Sequence, residues 1–152
     1  MAGVITGEAD LGTGKLLPKG TVDAFVARFT PGGVPVWVTP VPSTIDANAL
    51  AVLRDPGGGV FAALQVTGDL DLGAGIPVST GADSLVFARL DADGGVEWAR
   101  NVGGIVLGTG VGLVPEPSGH VLAYGGYAGA INLGALPPAE GDSDGFVAKL
   151  LP

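Results

Sequence analysis

Alternation with a period of two runs through the chain. In "ANALAVL" (47–53), Ala47, Ala49 and Ala51 alternate with larger residues, and in "GTGVGLV" (108–114), Gly108, Gly110 and Gly112 take the same places. Period two predicts a β-strand, and a face of only Ala or Gly predicts one crowded by other backbone. Three more strands are predicted beside it: "GVFAALQV" (59–66), "LVFARL" (85–90) and "GVEWAR" (95–100). The last two are joined by "DADGG", which suits a hairpin. No segment combines a helical period with caps, so the expected class is all-β.

The pattern repeats at a fixed step of 61 residues. "GEADLG" (7–12), "GDLDLG" (68–73) and "GAINLG" (129–134) keep both glycines and the leucine. "DAFVARF" (23–29), "DSLVFARL" (83–90) and "DGFVAKL" (144–150) correspond, with one extra residue in the middle copy, as a β-bulge would give. "TPGGVPVW" (30–37) corresponds to "DADGGVEW" (91–98), which sets Trp37 and Trp98 one step apart, and "DPGGGVFAAL" (55–64) corresponds to "EPSGHVLAYG" (116–125). A repeat of this length with four antiparallel strands predicts β-propeller blades. The small-residue strand would lie near the axis and the tryptophan strand outside. Approximate blades span 1–46 (partial), 47–107 (complete) and 108–152 (partial) of one repeat domain. A solenoid is the rival fold, but its turns are usually shorter than this repeat.

At this step 152 residues hold about 2.5 repeats, while closed propellers have about four to eight blades. The expectation is a partial propeller of 2.5–3 blades completed by oligomerisation. A homodimer, giving five or six blades, is favoured because it needs the fewest copies. The expected interface is the apolar edge at 146–151 together with the first strand: Phe146, Val147 and Leu150, with Val4 and Ile5.

The 28 glycines and 12 prolines suit short strands and tight turns, and 47% hydrophobic residues set the chain apart from disordered sequences. Seven basic against fifteen acidic residues give a net charge of -8 and no basic footprint for nucleic acid or an anionic membrane surface. There is no cysteine, which excludes disulfides, thiolate metal sites and cysteine nucleophiles. "MAGVITGEAD" has neither the basic nor the apolar region of a signal peptide.

The strings "DAFVARFTPGGVPVW", "DSLVFARLDADGGVEW" and "DGFVAKL", with "DPGGGVFAALQVTGDLDLG" between them, resemble the bacterial β-propeller repeat family called SBBP repeats. The resemblance covers nearly the whole chain. It implies a propeller of extracellular or cell-surface bacterial proteins, used mostly as a binding or assembly scaffold, with no shared catalytic set.

Candidate chemistry is sparse. Asp71 aligns with Asp10 and Asn132, but Asp69 aligns with Glu8 and Ala130, so "GDLDLG" is read as a turn whose second acid caps its own backbone. Asp91, Asp93, Asp142 and Asp144 form D-x-D-G starts without the distal acid that calcium needs. They are read as turn and strand-start residues, with calcium the minor alternative. His120, the only histidine, is expected on an exposed turn, and no G-x-S-x-G elbow accompanies it. "GGGV" and "GTGVG" lack the lysine and the helix of a phosphate loop. Trp37 and Trp98 are expected in core between blades. Tyr124 and Tyr127 have no aromatic counterparts and are the better candidates for a binding surface. Arg28, Arg89 and Lys149 recur in register and predict a salt bridge with a recurring acid. The expected function is a non-catalytic scaffold that self-associates, without cofactor or metal. The alternative is a lectin-like module that binds glycans through its loops.

Overall fold

The computed structural model describes residues 1–150 apart from 56, 74–76, 80–81, 119 and 135; within its strands, the side chains of 77–79 and 105–109 are also outside the description. Leu151 of the expected edge and the side-chain surroundings of Gly108 therefore lie outside the described residues. The described residues are all β, with thirteen strands.

An N-terminal sheet holds β1 (Ala2–Ile5), β4 (Asp23–Phe29) and β5 (Pro35–Val41), in the order β1-β4-β5. A six-stranded sheet holds β6 (Asp46–Arg54), β7 (Val60–Thr67), β10 (Ser84–Leu90), β11 (Val96–Pro115), β12 (Val121–Ile131) and β13 (Asp144–Leu150). Each strand of the larger sheet is antiparallel to its neighbour in sequence order, so the sheet is one meander. Two small hairpins, β2 (Ala9–Asp10) with β3 (Lys15–Leu16) and β8 (Asp69–Asp71) with β9 (Pro77–Ser79), begin within the first two copies of the glycine–leucine motif.

The expected strands 95–100 and 108–114 are not separate. They run together as the 20-residue β11. Its first part pairs with β10 up to Gly103 and its second part with β12 from Gly103 onward. "NVGGIVLGTG" has neither proline nor a polar turn to break it. Gly103, Gly104 and Gly110 absorb the change of direction instead, with φ of 69°, 76° and 73° and shifts of register alongside.

The six-stranded sheet coils on itself until β6 approaches β11, giving a nearly closed, barrel-like form. Its two halves enclose one core: Ala63, Leu85, Phe87 and Val102 from the first half meet Val111, Ala123, Tyr127, Ile131 and Phe146 from the second. The opposite face of the first half, with Ala62, Leu64, Val66, Val86 and Ala88, packs on Ala24, Val26, Trp37 and Val41 of the N-terminal sheet. The central layer is thus apolar on both faces, which explains why "VFAALQV" alternates so weakly in hydrophobicity. In the N-terminal sheet, the face turned away from this layer is covered by its own hairpin: Ile5, Phe25 and Ala27 bury against Leu11 and Leu16.

The bulges fall elsewhere than expected. The extra residue of "DSLVFARL" is not itself bulged. The surplus positions lie on the following strand, at Glu97 between the partners of Arg89 and Leu90, and at Val102 between those of Leu85 and Val86. Val36 is the same kind of surplus residue opposite Arg28 and Phe29. The bulge before the tryptophan is therefore a feature of the repeat.

Candidate functional site

The aspartates that open the repeated strands hold the loops before them. Asp23, 2% exposed, accepts from the backbone N–H groups of Lys19 (2.5 Å), Gly20 (3.4 Å) and Ser43 (3.0 Å). Asp144 accepts from the N–H of Glu140, also four residues upstream, at 2.8 Å, and Asp83 accepts from the Thr67 hydroxyl. The other acids cap turns. Asp10 accepts from the N–H of Gly12 and Gly14, Asp71 from Gly73, and Asp91 from Asp93 and Gly95. Thr30 Oγ1 stands in for Asp91 by accepting from Val34. Apart from Asp83, which takes a hydroxyl, these carboxylates are occupied by backbone donors, and no group of three metal-ligating side chains occurs among the described residues.

The recurring cations are paired in two of three copies. Arg89 meets Asp55 at 2.6 Å and contacts Glu97, while Lys149 meets Glu116 at 2.6 Å. The Arg89 hydrogen bond holds the Asp55 carboxyl below its ordinary value against the opposing effect of burial, and that of Lys149 lowers Glu116 in the same way. Arg28 differs, donating through Nη1 to the Ala92 carbonyl. His120 is not simply exposed. Its Nδ1 faces Ser118 Oγ and lies 3.4 Å from Glu116, while Ser118 also donates to Glu116. Serine and acid thus gather at one ring nitrogen across a five-residue turn, which is not the relay of a hydrolase.

The aromatic residues divide sharply. Tyr127 is 2% exposed, its hydroxyl donates to Pro137 O at 2.9 Å, and its ring meets Phe146 edge-on. It is core, which corrects its reading as a surface candidate. Tyr124, 50% exposed, lies over Gly112 and opposite Val147 on the outer face of the second half-sheet. Val147 and Val114 are exposed on this second half as well. Of the expected interface residues, Phe146 and Ile5 are built into cores within the chain and Leu150 packs partly against one, whereas Val147 and Val4 are open.

Trp37 and Trp98 share a register but not an environment. Trp37 is buried, and its Nε1 donates to the Ala92 carbonyl at 2.9 Å while Thr39 donates to Gly94 O at 2.7 Å. Both acceptors belong to the β10–β11 turn, which lies across the indole so closely that a Cβ on Gly94 would come within 2.7 Å of the ring. Trp98 is only half-buried. It stands edge-on to Phe61, with the Arg100 guanidinium 5.4 Å above its ring. Its Nε1 and the Nε of Arg89 are buried without a hydrogen-bond partner. Beside Trp98 opens a groove of about 450 Å³, lined by Phe87, Arg100, Val102, Leu133 and β13. The sequence pattern equates the two tryptophans and gives no sign of this difference. Neither family models nor curated proteins match the chain.

Proposed function

We propose that the chain is a non-catalytic scaffold of β-propeller type, resembling SBBP repeats, in which a second copy completes the ring. The observation that carries this reading is the unequal covering of equivalent faces. The outward positions of the N-terminal sheet and of the two halves of the six-stranded sheet correspond as Val26, Phe87 and Val147, and they are 0%, 1% and 71% exposed. Ala63, fully buried, likewise corresponds to the exposed Tyr124. A face built for burial in two layers lies open in the third, and Val114, Tyr124 and Val147 make it apolar. The strand orders add support, because β1-β4-β5, β6-β7-β10-β11 and β11-β12-β13 are successive parts of one four-strand pattern. A blade-like stack of this kind works by assembly or by presenting loops, in keeping with an extracellular or cell-surface scaffold.

Tyr124→Lys tests the reading. A charge at the middle of the open face should reduce the assembly to protomers while the circular dichroism spectrum stays unchanged. An assembly that keeps its mass in this variant would exclude the face as the contact.

A further inference from the structure

We infer that the groove beside Trp98 is a strand-addition site that takes up an extended peptide segment led by a glycine turn, as a fourth strand on the free edge of β13. Three observations converge there. First, β13 pairs only with β12 and ends the strand order, so its outer edge offers unpaired backbone groups among the described residues. Second, the groove of about 450 Å³ runs along that edge, from Val147 to Leu150 on one wall and from Trp98 to Val102 on the other. Third, Trp98, which lines the groove, carries a buried indole N–H without an acceptor.

The chain itself displays the occupied form of this arrangement. One register step earlier, Trp37 Nε1 and Arg28 Nη1 donate to the same carbonyl, Ala92 O, at 2.9 and 3.2 Å. Ala92 lies in the turn 91–95, which leads directly into β11. In the next layer Trp98 Nε1 is the corresponding donor and lacks an acceptor, as does the neighbouring Arg89 Nε, whereas the two Nη groups of Arg89 meet Asp55 and Glu97. A buried donor left unpaired is costly, and a turn carbonyl is the acceptor this site is shaped to receive. The occupant is thus defined by its chemistry: a tight glycine turn with an outward carbonyl, followed by a strand that hydrogen-bonds to β13 and lays alternate apolar side chains against Phe87 and Val102. Main-chain pairing supplies affinity and the turn supplies position, as in other cases of β-strand addition. The site uses the edge of β13 and ring closure the outer face of the sheet; Val147 borders both, and Tyr124, on the face alone, separates them.

The probe is a synthetic peptide with the sequence of 91–103, "DADGGVEWARNVG", added to ¹⁵N-labelled full chain. The titration is run on the wild type and on Tyr124→Lys, which separates edge binding from association through the face. The indole N–H signals are assigned with Trp37→Phe. The expected result is saturable binding that moves the Trp98 indole signal downfield and leaves that of Trp37 in place. A peptide lacking 91–94 should bind about tenfold more weakly and leave the Trp98 signal unmoved. In Trp98→Phe the two peptides should differ less. Absence of binding at millimolar peptide would overturn the inference, as would equal binding with and without the turn. A Trp98 signal that moves on protein concentration alone, without peptide, would overturn it in favour of a second copy in the groove.

Discussion

The two tryptophans offer a paired substitution in which identical chemical changes at equivalent positions should have different costs. Trp37→Phe removes the donor to Ala92 O and thins the packing under Gly94, which otherwise closes on the indole. The lost hydrogen bond costs about 1 kcal/mol and the reduced ring packing about another 1 kcal/mol. Trp98→Phe gives up some contact with Phe61 but also removes a buried, unpartnered N–H, whose penalty is about 1–3 kcal/mol. The variants should therefore differ by about 2 kcal/mol, with Trp98→Phe near neutral or slightly stabilising. For a chain of this size that is a separation in Tm of about 4–8 °C. Urea unfolding followed by circular dichroism, which does not rely on the fluorophore being removed, reads the difference as a change in midpoint at constant slope. Equal destabilisation of both variants would refute the reasoning, because it would mean that the Trp37 bond contributes nothing or that Trp98 is satisfied.

Further substitutions probe the devices that set the loops. Asp23→Ala leaves the N–H groups of Lys19, Gly20 and Ser43 without their acceptor and should cost about 3 kcal/mol in urea unfolding. Because Asp55 is held below its ordinary pKa of about 4, its pairing with Arg89 stabilises the fold above that pH and is lost as the pH falls through the lowered value. Arg89→Met should flatten this acid limb of a stability–pH profile measured between pH 2 and 6. Gly94→Ala should destabilise by more than about 1 kcal/mol, since φ is +87° and the new methyl would strike the Trp37 ring. Gly33→Ala, at φ of 79° but in open space, should cost less than Gly94→Ala in the same thermal melt.

Much of the architecture could be read from spacing. The 61-residue step located the hairpin turns, the strand-opening aspartates and the paired cations, because each depends on a local residue type at a fixed place. Asp71 accepts from the N–H of Gly73, as the reading of "GDLDLG" as a self-capped turn expects. What resisted reading was set by neighbours distant in sequence. Nothing local marks Tyr127 as core and Tyr124 as surface, since that depends on the strand register against Phe146 and Val147. The fusion of two expected strands into β11 was hidden because glycines at positive φ can serve either as a loop or as irregularities within a strand. The orphaned Nε1 of Trp98 was invisible because its twin, Trp37, owes its acceptor to a turn 55 residues away.

The mass of the wild-type particle in solution tests the central proposal most directly. Light scattering across a dilution series at micromolar concentration should give twice the 14.9 kDa protomer mass, with dissociation only on strong dilution. A stable, folded particle of 14.9 kDa throughout the series would contradict ring completion by a second copy.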